Sequence, residues 1–471
     1  MDIKKTTKNF IGVVFSNFST ILAGVVIGFA IPKMMSVHDY GMLKTFTLYV
    51  SYLGLFSFGI VDGIVLEYGG NDYDELDRPK FRNYFKWFLL VNLLSSFFII
   101  LLSVILFKND QRFIFVAIAI NLVMVNISSY FQQLSQITQR FKEYSLRKII
   151  QSILNILLVL LCFSIYKNIN NIDYRLYVIL LLLINVFLSL WYINTYKEIV
   201  FGDSLSLFET RSDIKYLMTI GIPLLIANIC SVLIVTLDSQ FVNILFPTAE
   251  YAMYAFAYNL LSLITIATAA ISTILYPILK RTDAVSMKQN YGFLISSIVI
   301  VIFAALIIYY PLYLFVEWYL PNYIASLIIF KIIFPGVALT TPIVVVMHNY
   351  YKALKKSNEY FKISLKIILF SIIANFIAYY LFKTTVAISY ASIIVLFIWF
   401  IYVENKFVIE YNYSRYKNLS YIIIMILSFY ICSSIQQIIL GCMIYIFLYI
   451  VLTLIYFKDQ IKNLKFKFNK K

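Results

Sequence analysis

Long apolar runs, each close to the length that crosses a bilayer, repeat along this chain from Phe10 to Phe457. A membrane-spanning helix needs about 20 apolar residues, whereas a strand of a membrane barrel needs only about 9–11. The runs match the helix, which satisfies its own backbone hydrogen bonds in lipid. With 62% hydrophobic residues and a mean hydropathy of +0.85, the chain has too much apolar surface for a soluble fold. We therefore predict an all-α polytopic membrane protein.

The apolar runs predict about 14 transmembrane helices, which we number as spans in chain order. Their predicted residues are 10–32, 43–66, 84–107, 113–135, 149–166, 176–196, 216–240, 251–279, 291–314, 323–350, 363–382, 385–405, 419–437 and 440–457. The connections reach at most roughly 20 residues, far below the usual minimum of about 50 for a soluble domain. A phosphate-binding GxxxxGK[ST] motif is also missing from the sequence. We expect a carrier that is not an enzyme and that hydrolyses no nucleotide itself.

Basic residues alternate from one side of the membrane to the other. Of the 39 Lys and Arg, 29 lie in the N-terminus, the connections that follow even-numbered spans, and the tail. The opposite side has 7, and three more, Lys86, Lys331 and Lys366, lie inside spans. Because cytoplasmic connections carry the excess of basic residues, both termini are predicted to be cytoplasmic. The net charge of +16 therefore indicates membrane orientation, and we expect no nucleic-acid partner.

The potential metal ligands are scattered. The four cysteines lie in four different spans without metal-ligand spacing, and they are interpreted as packing residues. The two histidines, His38 and His348, lie in unlike places. We predict no metal site and no bound cofactor.

A faint internal repeat relates the two halves of the chain. The tetrapeptide Asp39–Met42 (DYGM), before span 2, recurs 211 residues later as Glu250–Met253 (EYAM), before span 8. The pair Glu143–Tyr144, after span 4, recurs 216 residues later as Glu359–Tyr360, after span 10. Two similar offsets at equivalent places favour two pseudo-symmetric six-helix bundles with the same orientation.

The repeat gives the predicted domain organisation. One six-helix bundle is expected at residues 1–200 and the other at residues 201–410. Residues 411–471 would add two accessory transmembrane helices and a basic cytoplasmic tail, Lys458–Lys471. Such a tail is attracted by the anionic lipids of the inner leaflet.

Several motifs together identify a known type of protein. They are the Lys-rich start, the Ser/Asn face of span 1, the DYG step into span 2, the GIP sequence that opens span 7, and Asp238 near the outer end of that span. In these features the chain resembles bacterial polysaccharide-repeat-unit flippases, which serve O-antigen and capsule synthesis. This family belongs to the multidrug, oligosaccharidyl-lipid and polysaccharide exporter superfamily.

The resemblance implies a V-shaped pair of bundles around a polar cavity that opens alternately inward and outward. It also implies an undecaprenyl-pyrophosphate-linked oligosaccharide as substrate, whose polyprenyl tail stays among membrane lipids. The expected location is the bacterial cytoplasmic (inner) membrane, with polysaccharide polymerase and assembly proteins as candidate partners. The transport energy could come from removal of the product outside, or from H⁺ or Na⁺ at Asp238 or Asp62.

Charged residues inside spans are the first candidates for the cavity, because each costs about 2.5–3.5 kcal/mol on insertion scales. Asp238 is expected to bind sugar hydroxyls or a coupling cation, or else to lie at the water interface. Asp62 could equally be solvated at the inner mouth. Lys331 could contact a pyrophosphate or extend to the outer interface. Lys44 is expected at the external mouth.

Neutral polar residues inside spans suit a sugar, because they replace water without trapping the ligand by charge. In span 1, the Ser and Thr hydroxyls are interpreted as helix-packing groups and Asn17 as a cavity residue. Asn126 and Gln132 in span 4, Asn259 in span 8 and His348 in span 10 are further candidates. For His348, a hydrogen-bonded interfacial imidazole is the simpler interpretation.

Three alternative functions remain open from the sequence. A cation-coupled multidrug exporter would have an acidic, aromatic cavity and only twelve helices. A peptidoglycan-precursor flippase would share the larger helix count, but it fits less well with the few cationic residues of the early spans. A membrane polysaccharide polymerase would need a long external segment, which the short connections do not offer.

Overall fold

The computed structural model describes residues 3–206, 208–354 and 356–468. The side chains of residues 3–11, 357, 459, 461–468 and several positions between 266 and 281 are outside this description. The predictions for the basic side chains of the N-terminus and of the tail beyond residue 460 therefore concern side chains that lie outside this description. Within the described part, 88% of the structure is helical and there are no strands, which confirms the all-α prediction.

The described α-helices follow the predicted spans closely. They are α1 (Ile3–Met34), α2 (Val37–Val50), α3 (Ile60–Tyr68), α4 (Arg78–Leu106), α5 (Asn109–Ile137), α6 (Phe141–Ile169), α7 (Tyr174–Thr195), α8 (Arg211–Leu245), α9 (Thr248–Arg281), α10 (Ala284–Ala305), α11 (Tyr309–Tyr319), α12 (Ser326–Ile333), α13 (Val337–Pro342), α14 (His348–Ala353), α15 (Ser357–Phe382), α16 (Thr385–Tyr411), α17 (Tyr416–Ser433) and α18 (Ile438–Phe468).

Twelve helical segments of the described chain are long and apolar enough to cross a membrane, or thirteen when a bent pair is included. The bent pair joins Val37–Ser57 to Ile60–Tyr68 at 59° and corresponds to predicted span 2. Helix α9 corresponds to predicted span 8, and part of its side chains is outside the description. The prediction of fourteen spans is therefore approximate in number.

Short polar side chains begin several helices by accepting hydrogen bonds from backbone N–H groups. Ser36 caps α2, where its hydroxyl accepts from the Asp39 N–H at 3.0 Å. Asn171, between α6 and α7, accepts from the Ser36 N–H at 2.9 Å through its side-chain oxygen. The DYG motif thus starts in the first turn of a capped helix, and its Tyr40 is buried.

The chain divides into two compact units, Met1–Val232 and Leu233–Lys471. Each unit contains an apolar groove between two long helices, of about 400 Å³ between α6 and α7 and about 560 Å³ between α15 and α16. Side chains that line the two grooves on α6 and α15 lie 216 positions apart, the same offset as the second sequence repeat: Leu154 and Phe370, Leu157 and Ile373, Leu158 and Ala374, Leu161 and Ile377. The predicted division at residues 200 and 410 stays a prediction.

Candidate functional site

A buried carboxylate, Asp238, lies in the second unit on α8 and is only 4% exposed. Its Oδ2 accepts hydrogen bonds from the hydroxyls of Tyr254 and Ser392, each at 2.7 Å, and from that of Tyr258. Its Oδ1 accepts from the backbone N–H of Ser239 at 2.6 Å. These four donors stabilise the carboxylate through hydrogen bonds, but none of them carries a positive charge.

Helical spacing brings these hydroxyls to the carboxylate. Tyr254 and Tyr258 are four residues apart on α9, so their side chains share one face, and their ring centroids are 5.4 Å apart. Ser392 is on α16, where its hydroxyl also lies 3.0 Å from the Ile388 carbonyl, an alternative acceptor for its one proton. Asp238 was predicted from the sequence, but these donors were not. The i, i+4 spacing of the two tyrosines was the only signal, in a chain with 39 tyrosines.

A small cavity of about 40 Å³ adjoins Asp238 in the second unit. Its polar lining includes Asp238, Tyr258, Thr340, Ser371 and Ser392. A water needs about 10–15 Å³ by this kind of measure, whereas small-molecule sites usually measure about 300–1,000 Å³. The cavity has room for a few waters or one small cation, and it is too small for a sugar ring.

The consecutive helices α12, α13 and α14 together form predicted span 10. The helical hydrogen-bond pattern changes twice along this span. A 3₁₀ turn at Phe334–Gly336 contains Pro335, and a π-helical turn at Ile343–Met347 follows Pro342. Proline has no N–H and disturbs the carbonyl four residues earlier, which explains why the regular pattern is lost at these points. Gly336 lines the small cavity beside Asp238.

Lys331 and His348 lie in the same span, on α12 and α14. Their described contacts are with Ser434 and Tyr360 and not with the cavity beside Asp238. The Lys331 ammonium donates to the hydroxyl of Ser434, at the end of α17, at 2.9 Å. The His348 ring stacks on Tyr360 with centroids 4.4 Å apart. Asn259 follows Tyr258 on α9 and is half-buried. The predicted contacts of these three residues with a substrate stay predictions.

In the first unit, the bent pair of helices turns at two residues with left-handed backbone. Phe58 has a φ of +48° and Gly59 a φ of +78°, just before α3 begins. Glycine adopts this conformation without a Cβ penalty, and it therefore suits the sharp turn between the two helices. Asp62 lies in the first turn of α3 and is half-buried.

Glycines let the backbones of α3 and α8 touch next to Asp62. A methyl group on Gly221 would lie 2.0 Å from the carbonyl oxygen of Gly59, and one on Gly63 would lie 2.2 Å from that of Leu217. Small residues at a four-residue spacing are typical of close helix packing in membranes. The GIP motif therefore begins with a glycine that the first unit needs for this contact.

Asn126 is buried in the interior of the first unit. Its amide donates to the Asn92 side chain at 2.6 Å and to the Leu53 carbonyl at 3.1 Å, so it ties α5 to α4 and to the turn before α3. Gln132, one and a half turns further along α5, is half-buried and lines a polar cavity of about 290 Å³. The structure therefore places Gln132 at a cavity within this unit and Asn126 in its interior, and the cavity role of Asn126 stays a prediction.

Asn17 contacts a basic residue of α6, since its side-chain oxygen accepts from the Lys148 ammonium at 2.8 Å. The hydroxyls of Ser16 and Thr20 donate to carbonyls of their own helix, at 2.8 and 3.0 Å. Lys44, on α2, is half-buried with its ammonium 5.2 Å from the Tyr40 ring centroid. The hydroxyl contacts agree with a packing role, and the cavity roles of Asn17 and Lys44 stay predictions.

Arg147 is a polar residue of the first unit that the sequence analysis missed. It lies in the basic connection between predicted spans 4 and 5, yet its side chain is only 1% exposed. Its guanidinium pairs with Glu143 at 2.7 Å and donates to the hydroxyl of Thr195 on α7. It lines the same 290 Å³ cavity as Gln132. Among the described residues that were searched, no group of three or more His, Cys, Asp or Glu could hold a metal ion.

Solved structures with a similar fold are transporters and flippases. The lipid II flippase MurJ, in an inward closed conformation, has a TM-score of 0.68 and 14% identity, covering 97% of this chain and 100% of that one. An inward-facing MATE multidrug resistance transporter has a TM-score of 0.58 and 13% identity, covering 83% and 94%. A mutant of the Vibrio cholerae MATE transporter VcmN has a TM-score of 0.53 and 11% identity, covering 87% and 98%. The chain thus shares the fold of these membrane proteins.

A family comparison narrows this class. Residues 6–283, more than half of the chain, match the family described as polysaccharide biosynthesis protein. The chain belongs to this family, which confirms the resemblance deduced from the DYG and GIP motifs. Comparison with curated proteins gives no sequence match.

Proposed function

We propose that this protein is a flippase that moves an undecaprenyl-pyrophosphate-linked oligosaccharide, the repeat unit of O-antigen, capsule or a related polysaccharide, across the bacterial cytoplasmic membrane. Membership of the polysaccharide biosynthesis family, in a chain with the fold of membrane transporters, is the observation that carries the proposal. The protein works by alternating access, as a carrier without a covalent intermediate. Both termini are on the cytoplasmic side, as the distribution of basic residues predicts.

The physical task is to move a charged, hydroxyl-rich head group past hydrocarbon. An unpaired charge or a row of unbonded hydroxyls in lipid is prohibitively costly, whereas polar side chains replace the lost water. The polyprenyl tail needs no such help, because it stays dissolved among lipid chains. Polar side chains within the spans, such as the buried Asp238 and the half-buried Gln132, support a protein that carries a head group in this way.

The proposed energy source is a proton or a sodium ion at Asp238. The carboxylate is 4% exposed and its described partners are uncharged donors, so binding a cation would compensate its charge. The adjoining cavity of about 40 Å³ matches an ion rather than a sugar. Of the two roles expected for Asp238, we therefore favour cation binding over sugar binding.

A second candidate function is peptidoglycan-precursor flipping. The likeness to the lipid II flippase covers nearly all of both chains, including the two C-terminal helices α17 and α18. At 14% identity this likeness concerns the fold. Peptidoglycan-precursor flipping is therefore an alternative that an experiment must distinguish from oligosaccharide flipping.

Deletion of the gene in its own host distinguishes these functions. We expect a lipid-linked oligosaccharide to accumulate on the cytoplasmic face and surface polysaccharide to fall, with both restored by the intact gene. Accumulation of the peptidoglycan precursor instead would support the second candidate. Unchanged surface glycan together with new drug sensitivity would contradict both and favour a multidrug exporter.

Straightening predicted span 10 should slow transport. Replacing Pro335 and Pro342 by Ala restores two backbone N–H groups and removes the clash with the preceding carbonyls, so the 3₁₀ and π turns should become regular helix. Because these breaks allow the helix to bend during alternation, we expect a lower rate of head-group translocation in reconstituted vesicles at equal expression. Pro321→Ala, in a short turn between α11 and α12, is the matched control. Equal rates for all three proteins would contradict the bending role.

A further inference from the structure

A polar cavity lies within the first unit, between α5, α6 and α7, and involves neither Asp238 nor the second unit. Its volume is about 290 Å³, close to the low end of small-molecule sites. The apolar part of the lining comes from Val125, Leu188 and Tyr192. The polar lining consists of Ser128, Ser129, Gln132, Arg147, Gln151 and Asn185.

Arg147 holds an incomplete set of hydrogen bonds at this cavity. One terminal nitrogen donates to Glu143 and the other to Thr195, while the Nε–H is buried without a partner in the described part of the chain. The guanidinium carbon lies over the rings of Trp191 and Tyr192, 4.9 and 4.4 Å from their centroids. A buried donor without a partner costs about 1–3 kcal/mol, so a water or a ligand oxygen is needed to complete it. The stacking keeps this donor fixed, ready for such an acceptor.

The charges around the cavity indicate an uncharged ligand. Glu143 pairs with Arg147 at 2.7 Å, and this neutralises the only charged side chain of the lining. The remaining polar groups are amides and hydroxyls, which both donate and accept hydrogen bonds. A ligand with many hydroxyls matches such a lining, whereas a phosphate would meet one cation that already has a partner.

We propose that this cavity binds one uncharged sugar residue. That this residue belongs to the transported glycan rests on the proposed function. The cavity is next to Arg147 and Lys148, at the end of the unit that the basic residues place on the cytoplasmic side. The site would thus hold a sugar of the head group on the side from which it is loaded, with the Arg147 Nε–H donating to a sugar oxygen.

Sugar binding can be measured on the full chain in lipid nanodiscs by saturation-transfer NMR. The probes are methyl glucoside, methyl N-acetylglucosaminide and, as the charged comparison, methyl glucuronide. Gln132→Met and Gln151→Met keep side-chain length but remove the amides. Each is expected to weaken binding of the uncharged glycosides by about three- to tenfold, the effect of one lost hydrogen bond. Arg147 itself is a poor target, because it also joins α6 to α7 and its variants could unfold.

Gln111→Met is the matched control, because Gln111 is exposed at the opposite end of α5. It should bind all glycosides as the parent protein does. Equal binding by the parent and both cavity variants, or stronger binding of the glucuronide, would overturn the sugar site. Absence of binding by a parent protein that restores surface polysaccharide would overturn the site but leave the proposed function intact. If instead a parent protein bound the glycosides through Gln132 and Gln151 but failed to restore surface polysaccharide, the sugar site would be supported and the proposed function would be contradicted.

Discussion

Gly221→Ala should destabilise the first unit strongly, and Gly63→Ala should do the same. The added methyl group of Gly221→Ala would lie 2.0 Å from the Gly59 oxygen and 2.5 Å from the Gly63 nitrogen. Both atoms belong to backbone, so no side-chain rotation relieves the clash, and α3 must separate from α8. Overpacking of this kind costs about 1–3 kcal/mol or more. The measurement is the thermal unfolding midpoint in detergent, together with the yield of monodisperse protein.

Gly54→Ala is the control for the loss of a glycine in the same region. Gly54 lies in the short 3₁₀ turn before α3, is exposed, and has open space where a methyl group would be added. Its midpoint should stay close to that of the parent. If Gly221→Ala also left the midpoint unchanged, the close contact between α3 and α8 would be wrong. A loss of stability in all three variants would indicate that glycine content, and not this contact, determines the result.

Asp238→Asn should abolish most transport while the protein still folds. Asparagine has nearly the size of aspartate, and its side-chain oxygen can accept from the surrounding hydroxyls. It cannot carry the negative charge that a proton or a sodium ion would neutralise. We expect head-group translocation in vesicles with an imposed ion gradient to fall by about 5- to 150-fold, the usual size of coupling between two sites.

Asp283→Asn provides the matched control in the same unit. Asp283 is an exposed cap at the start of α10, where its carboxylate accepts from the Ser286 N–H at 2.9 Å. An Asn cap serves nearly as well, so transport should be unaffected. Translocation at the parental rate by Asp238→Asn would exclude this carboxylate as the coupling site. Asp238→Leu should in addition lower the unfolding midpoint, because it removes the acceptor that the hydroxyls of Tyr254, Tyr258 and Ser392 share.

The sequence was sufficient for the parts of the fold that depend on local pattern. Apolar length located the helices, and the irregular turns of predicted span 10 lie at Pro335 and Pro342, as the local chemistry of proline explains. The DYG motif located a helix start, since Asp39 lies in the first turn of α2. These features depend on neighbours within a few residues, which the sequence displays directly.

The sequence was insufficient where a contact joins distant residues. Tyr254 and Ser392 reach Asp238 from two other helices, and nothing in their own neighbourhoods indicates a shared carboxylate. Arg147 has the local pattern of a solvated residue, but α7 covers it with aromatic rings. Lys331 could be assigned to a pyrophosphate or to the outer surface, and only the position of Ser434 shows its described partner.

The three hydroxyl groups around Asp238 on α8 can act first as donors to the bare carboxylate and then as ligands of a bound cation. Each of the three oxygens has an O–H to give and lone pairs to offer, and a rotation about one C–O bond exchanges these roles. Turned inward as donors, they compensate the bare anion; turned with lone pairs forward, they become ligands for a hard monovalent ion. Binding and release of the cation would then need no movement of the main chain around Asp238. This exchange could be as fast as the reorientation of the hydroxyl groups.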